Sequence, residues 1–146
     1  MNRTASNRRL AFALVAILLP GLPATFAAGG AESPVLETPL PNAPGLQLKA
    51  ITVTYAPGAK SRPHVHDASV FVYVLSGTVR SRIAGQPVHL YRAGESWFEP
   101  PGTHHLVSEN ASESEPARLL VVFVARPEAA LTHSPGQSTP LHPGEL

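Results

Sequence analysis

Three histidines are the residues of this chain best suited to chemistry. His64 and His66 flank Val65. On a β-strand, residues two apart project from the same face. Two imidazoles placed that way can bind one metal ion side by side, with metal–nitrogen bonds of about 2.0–2.2 Å for a zinc-like ion. Such a pair is common on polar surfaces, so it means little until a third ligand is found. Pro100-Pro101-Gly102 forces a tight turn, and the short strand after it can carry His105 back toward the pair. A regular strand turns the neighbouring His104 the other way, toward the surface.

The spacing around these residues resembles the two motifs of the cupin superfamily. Gly58 and five residues precede His64-Val65-His66, and Gly77 lies eleven positions on. Gly94 and five residues then precede Pro100-Pro101-Gly102, followed by two residues and His105. The resemblance covers about residues 46–125 and is to small single-domain cupins. It implies an all-β, double-stranded β-helix (jelly-roll) barrel with His64, His66 and His105 as metal ligands. The implied cofactor is one divalent first-row ion, iron first, with Mn, Ni, Cu or Zn as alternatives.

The sequence departs from the pattern at Val70, four residues after His66, where the motif carries Glu. Three neutral imidazoles leave the ion its full charge and more open positions, and its bound water more acidic. Three-His cupins include dioxygenases, so the resemblance implies a dioxygenase-like enzyme acting on a small chelating or anionic molecule. A carboxylate could instead come from Glu99 or Glu95, or the pocket could hold only an organic ligand. A non-catalytic binding or metal-stabilised module is the second reading. A metal-dependent hydrolase or isomerase is the third, with Glu99 as the candidate catalytic base. The second motif also ends one residue late, with Glu109 where Asn is usual and Asn110 next, so a turn there should differ.

Other side chains attract weaker readings. Val70, Trp97, Phe98 and Glu99 are candidate pocket residues, and of Trp97 and Phe98 one must face in and the other out. Tyr73 is read as packing, Arg80 and Arg82 as one solvated strand face, and His133 and His142 as idle tail residues. His89 sits near Tyr91 with no evident partner.

The elements that must position these residues are short strands. Alternation runs from Leu46 to Tyr55, Val70–Leu75 is continuously apolar, and Thr78–Ile83 alternates again. Further short runs follow at Val88–Tyr91, Ser96–Glu99, His105–Ser108 and Leu119–Val124. Turn residues close each run within about 8–12 positions, the rhythm of a sandwich or barrel. Both faces of Val70–Leu75 need cover, which suggests a homodimer or the proline-rich arm of residues 28–45 lying over it. Residues 46–126 form the domain, and residues 127–146 read as a disordered tail.

The 16 prolines disfavour a helical bundle, and the absence of Cys excludes disulfides, thiolate ligands and a Cys nucleophile. Arg3, Arg8 and Arg9 precede the apolar run Leu10–Leu19 and the small residues Thr25 and Ala27. That is the pattern of a cleavable signal peptide over residues 1–27, of the general or twin-arginine type. The expectation is a periplasmic or secreted protein with no stable membrane anchor. Without those residues, eight Lys plus Arg face ten Asp plus Glu, a net of −2 with His neutral. Such a domain has no nucleic-acid footprint, and the expected partner is a small molecule.

Overall fold

A computed structural model describes residues 29–137. The expected signal segment and His142 lie outside the described residues. Nine strands and no helix occur among them: β1 (Ala31–Pro39), β2 (Gln47–Tyr55), β3 (His64–Val65), β4 (Ser69–Ser76), β5 (Thr78–Ile83), β6 (His89–Arg92), β7 (Ser96–Glu99), β8 (His104–Asn110) and β9 (Ala117–Ala125). They form two antiparallel sheets, ordered β1-β2-β9-β4-β7 and β3-β8-β5-β6. This is the all-β jelly-roll barrel expected from the motifs.

The barrel follows from period-two alternation. On β4, Val70, Val72 and Val74 are buried, while Phe71, Tyr73 and Leu75 are 42%, 37% and 41% exposed. On β9, Leu119, Val121 and Phe123 face the same interior, and Ile51, Val53 and Tyr55 of β2 complete the wall. Burying each Val of β4 contributes about 1.5–3 kcal/mol relative to leaving it in water. Gly77 makes the β4–β5 turn possible. Its φ is 76°, and a Cβ there would come within 2.8 Å of the Ala117 Cα.

Three expectations change. The arm of residues 28–45 contains β1, which pairs with β2 from Ala31↔Thr54 to Pro39↔Gln47. Pro34 and Pro39 hide this strand from a sequence pattern. They are tolerated because β1 is an edge strand, where a missing N–H breaks no ladder. The arm also does not cover β4, since β2 and β9 lie between them in the sheet. The outer face of β4 is therefore exposed within the chain, and Tyr73 lies on it rather than in the core. Finally, the described part of the tail runs beside β3 as a strap. His133 exchanges two backbone hydrogen bonds with Val65, at 2.9 and 3.0 Å, and the Asp67 N–H donates to the Ala130 carbonyl at 3.3 Å.

Candidate metal centre

His64 and His105 are directly paired across β3 and β8, so both rings project from one face of the second sheet. His66 follows on that same face. The Gly102 N–H donates to the His66 carbonyl at 2.8 Å, tying the Pro-Pro-Gly turn to the histidine pair. Ring centroids lie 4.7 Å apart for His64–His66 and 4.9 Å for His64–His105. One ligand nitrogen from each of the three lies within 4.8 Å of the others. Phe123 packs edge-on against His66 and Trp97 against His105, at 5.5 and 6.4 Å.

Each ring has one nitrogen engaged by a neighbouring group outside the three. His64 Nδ1 lies 2.7 Å from the Arg62 carbonyl. His66 Nδ1 lies 2.6 Å from the Leu131 carbonyl on the strap, with Thr132 Oγ1 at 3.2 Å. His105 is engaged through Nε2, 2.9 Å from Ser81 Oγ. A carbonyl can only accept, so His64 and His66 each carry a proton on Nδ1, which leaves Nε2 as the nitrogen able to bind a metal. With Ser81 accepting from Nε2–H, His105 presents Nδ1. Partners of this kind fix the tautomer and orientation of metal-ligating histidines. Burial, the dominant cause, lowers His66 to about 4 and His105 to about 3, with the neighbouring His64 adding to both. Both rings are therefore neutral at pH 7, as a ligand must be.

Glu99 lies beside the cluster. It is fully buried, and the Trp97 indole N–H donates to its Oε1 at 2.8 Å. Oε1 also lies 3.2 Å from His105 Nδ1, and Oε2 lies 3.9 Å from His66 Nε2. Because His105 is neutral at pH 7, that contact is no ion pair. Oε2 has no hydrogen-bond partner among the described residues. Burial raises the Glu99 carboxyl above its ordinary value, partly offset by the Trp97 bond. Three imidazole lone pairs and an orphaned carboxylate oxygen suit a divalent first-row ion, so the residues present fit the expected cofactor.

The cluster opens into a cavity of about 410 Å³. Ile51, Val53, Val72, Leu119, Val121 and Phe123 supply much of its wall. Tyr55 adds a polar spot, its hydroxyl 2.7 Å from Ser61 Oγ and 3.0 Å from Ser108 Oγ. Arg62 is the one Arg or Lys among the described lining residues.

Val70, Trp97 and Glu99 line this cavity as expected. Phe98 does not. It is 54% exposed on the outer side of β7, because alternation turns it away from Trp97 and Glu99. Glu95 is also elsewhere: its Oε2 accepts from the Arg92 N–H at 2.6 Å in the turn before β7. His104 is exposed, as a regular strand requires. Arg80 lies outside the barrel, paired with Glu109 at 2.7 Å. His89 stacks loosely near Tyr91, with ring centroids 6.0 Å apart. His133 is not idle: its Nε2 lies 3.1 Å from Asp67 Oδ1, and that contact raises its pKa.

The late Asn has a structural cause. Arg82 pairs with Val107 but Ile83 pairs with His105, so Leu106 is an extra residue in β8. This bulge shifts the strand's phase by one. Ser108 and Asn110 then face inward along with His105. Asn110 donates to the carbonyls of Ala56 and Glu115 at 3.0 and 2.7 Å, and accepts from the Ser112 N–H at 2.9 Å.

Comparison with known proteins agrees with this geometry. The cupin domain family model matches residues 51–123. The TT1209 protein from Thermus thermophilus is 31% identical, with a TM-score of 0.55 over 68% of this chain and 86% of that one. The DMSP lyase DddQ from Ruegeria pomeroyi DSS-3 is 23% identical, with a TM-score of 0.61 over 79% of this chain. A recombinant oxalate oxidase in complex with glycolate is 25% identical, with a TM-score of 0.53 over 68% of this chain. The chain spans 56% of the length of the lyase and 52% of that of the oxidase. No curated protein matches the sequence. The matched family model, the two facing sheets and the three-histidine group together place this chain in the cupin domain family.

Proposed function

We propose that this cupin is an exported, oxygenase-type metalloenzyme acting on a small molecule with an apolar body and a chelating or anionic head. One observation carries the reading: three imidazoles, each with one ring nitrogen held by a neighbouring group, come together in the lining of an open cavity. A purely structural ion would favour a closed, four-coordinate site. Here His64, His66 and His105 would hold a divalent first-row ion and leave its remaining positions to the cavity. When bound, that ion supplies Lewis-acid charge and, if redox-active, one-electron chemistry.

The protein's own residues do the rest. The apolar wall excludes water and accepts the substrate body by burial. Arg62, at the rim, favours an anionic head. Tyr55, held between Ser61 and Ser108, offers a fixed hydroxyl for orientation. Similarity to an oxalate oxidase that binds glycolate supports a small oxygen-rich substrate. The leader-like residues 1–27 support export.

The test is oxygen uptake by Fe(II)-, Mn(II)- or Cu(II)-loaded protein against a panel of diketones, phenols, small hydroxy acids and thiols. Turnover with one class, lost in His64→Ala, supports the reading. Tight binding of a panel member with no oxygen consumed under any loading would instead favour a non-catalytic binding module.

A further inference from the structure

We propose that Glu99 supplies a fourth protein donor to this metal centre, entering from β7 at the position directly paired with Val70 of β4. The inference rests on the three-histidine reading and adds a carboxylate to it.

The register makes the placement natural. Val70 and Glu99 are cross-strand partners, so their side chains leave the first sheet side by side and point into the same interior. A carboxylate at either position therefore reaches the same volume. The chain has an apolar residue at one and an acid at the other.

Burial gives the placement its force. Glu99 is 0% exposed, with one oxygen held by Trp97 and the other without a partner. A carboxyl oxygen left unpaired in a dry interior is costly, and cores tolerate it only where something else satisfies it. No Lys or Arg is among the residues lining this cavity except Arg62 at the rim. The ring nitrogens of His105 and His66 lie 3.2 and 3.9 Å from the two Glu99 oxygens, and lone pairs there repel a carboxylate oxygen unless a proton or a cation lies between them.

The distances agree. Two ligands about 2.1 Å from one ion lie roughly 3.0 Å apart at right angles and about 3.4 Å apart at a tetrahedral angle. Glu99 Oε1 is 3.2 Å from His105 Nδ1, and Oε2 is 3.9 Å from His66 Nε2. The first falls within that range, and the second exceeds it by about 0.5 Å, a gap that a small rotation of the carboxylate toward an ion would close. Trp97 is then a positioning residue: its N–H on Oε1 fixes the carboxylate and leaves Oε2 to the centre. A carboxylate donor lowers the net charge of the centre by one unit and leaves fewer positions for substrate.

Co(II) is the probe. Its affinity is measured by chelator competition and its coordination by visible absorption, in the wild type, Glu99→Gln and the double variant Val70→Glu/Glu99→Val. Partners outside the ligand shell already change affinity by about 10–100-fold, so loss of a ligand should cost at least about 100-fold. Glu99→Gln should show that loss and an altered cobalt spectrum, while its metal-free melting temperature stays level or rises. The double variant should regain affinity and the spectrum. If it does not fold, Glu99→Gln alone decides. Wild-type affinity and spectrum in Glu99→Gln would overturn the proposal while leaving the three-histidine centre standing. A wild type that takes up no Co(II) would overturn both.

Discussion

Replacing Ser81 by Ala should weaken metal binding without touching a ligand. Ser81 is 3% exposed and its Oγ lies 2.9 Å from His105 Nε2. His105, lowered to about 3 by burial and by the nearby His64 and His66, carries a single proton at neutral pH. With Ser81 Oγ as the acceptor, that proton sits on Nε2 and Nδ1 offers its lone pair to the centre. Ser81→Ala leaves the Nε2–H buried and unpaired, at a cost of about 1–3 kcal/mol. The proton then favours Nδ1, where Glu99 Oε1 waits at 3.2 Å. Metal binding must reverse that shift, so affinity should fall about 5- to 150-fold at roughly 1.4 kcal/mol per tenfold. Isothermal titration with Co(II) or Zn(II) reads the change directly. Nitrogen-15 shifts of the His105 ring, in the metal-free protein, should show the tautomer change. An affinity within twofold of wild type, with an unchanged tautomer, would refute the reasoning.

Other outcomes follow from the same geometry. Truncation after Arg126 removes the Leu131 carbonyl from His66 Nδ1, and affinity should drop about 10–100-fold while circular dichroism retains the strand signature. In the metal-free protein, proton NMR should find His66 and His105 in their neutral form down to about pH 5, because burial lowers them to about 4 and about 3. Titration of either near pH 6.5 would mean that water reaches the cluster. His133 behaves oppositely. Its raised pKa makes its contact with Asp67 stabilising below the unfolded value of about 6.5, and that contribution is lost as pH rises through the folded value. Hydrogen exchange at the Val65 amide, which donates to the His133 carbonyl, should therefore protect more at pH 6 than intrinsic rates explain at pH 8.5. His133→Gln should erase that difference.

Much of the barrel was legible because strands announce themselves locally. Thr78–Ile83 and Ser96–Glu99 match β5 and β7 end to end, since Gly and Pro close them abruptly. The histidine group was legible from motif spacing, and the outward His104 from alternation alone. What escaped depends on pairing between distant segments. β1 carries prolines that argue against a strand until its edge position is known. The strap at residues 126–137 has little apolar content and is held by backbone bonds to β3, which no side-chain pattern records. Ser81 and Leu131 gain their roles only because β5 and the strap arrive beside His105 and His66. The bulge at Leu106 left a trace in the late Asn110, but its effect on Ser108 needed the register. Glu99 was one of two candidate acids. The Val70 pairing separates it from Glu95, which serves a turn.

The most direct test of the metal centre is metal content by mass spectrometry, on protein exported by its native route and purified without chelator. Wild type and His104→Ala should each carry close to one first-row transition-metal ion per chain, and His105→Ala should carry almost none. A folded wild-type protein without stoichiometric metal, or one whose metal survives His105→Ala but not His104→Ala, would contradict the centre described here.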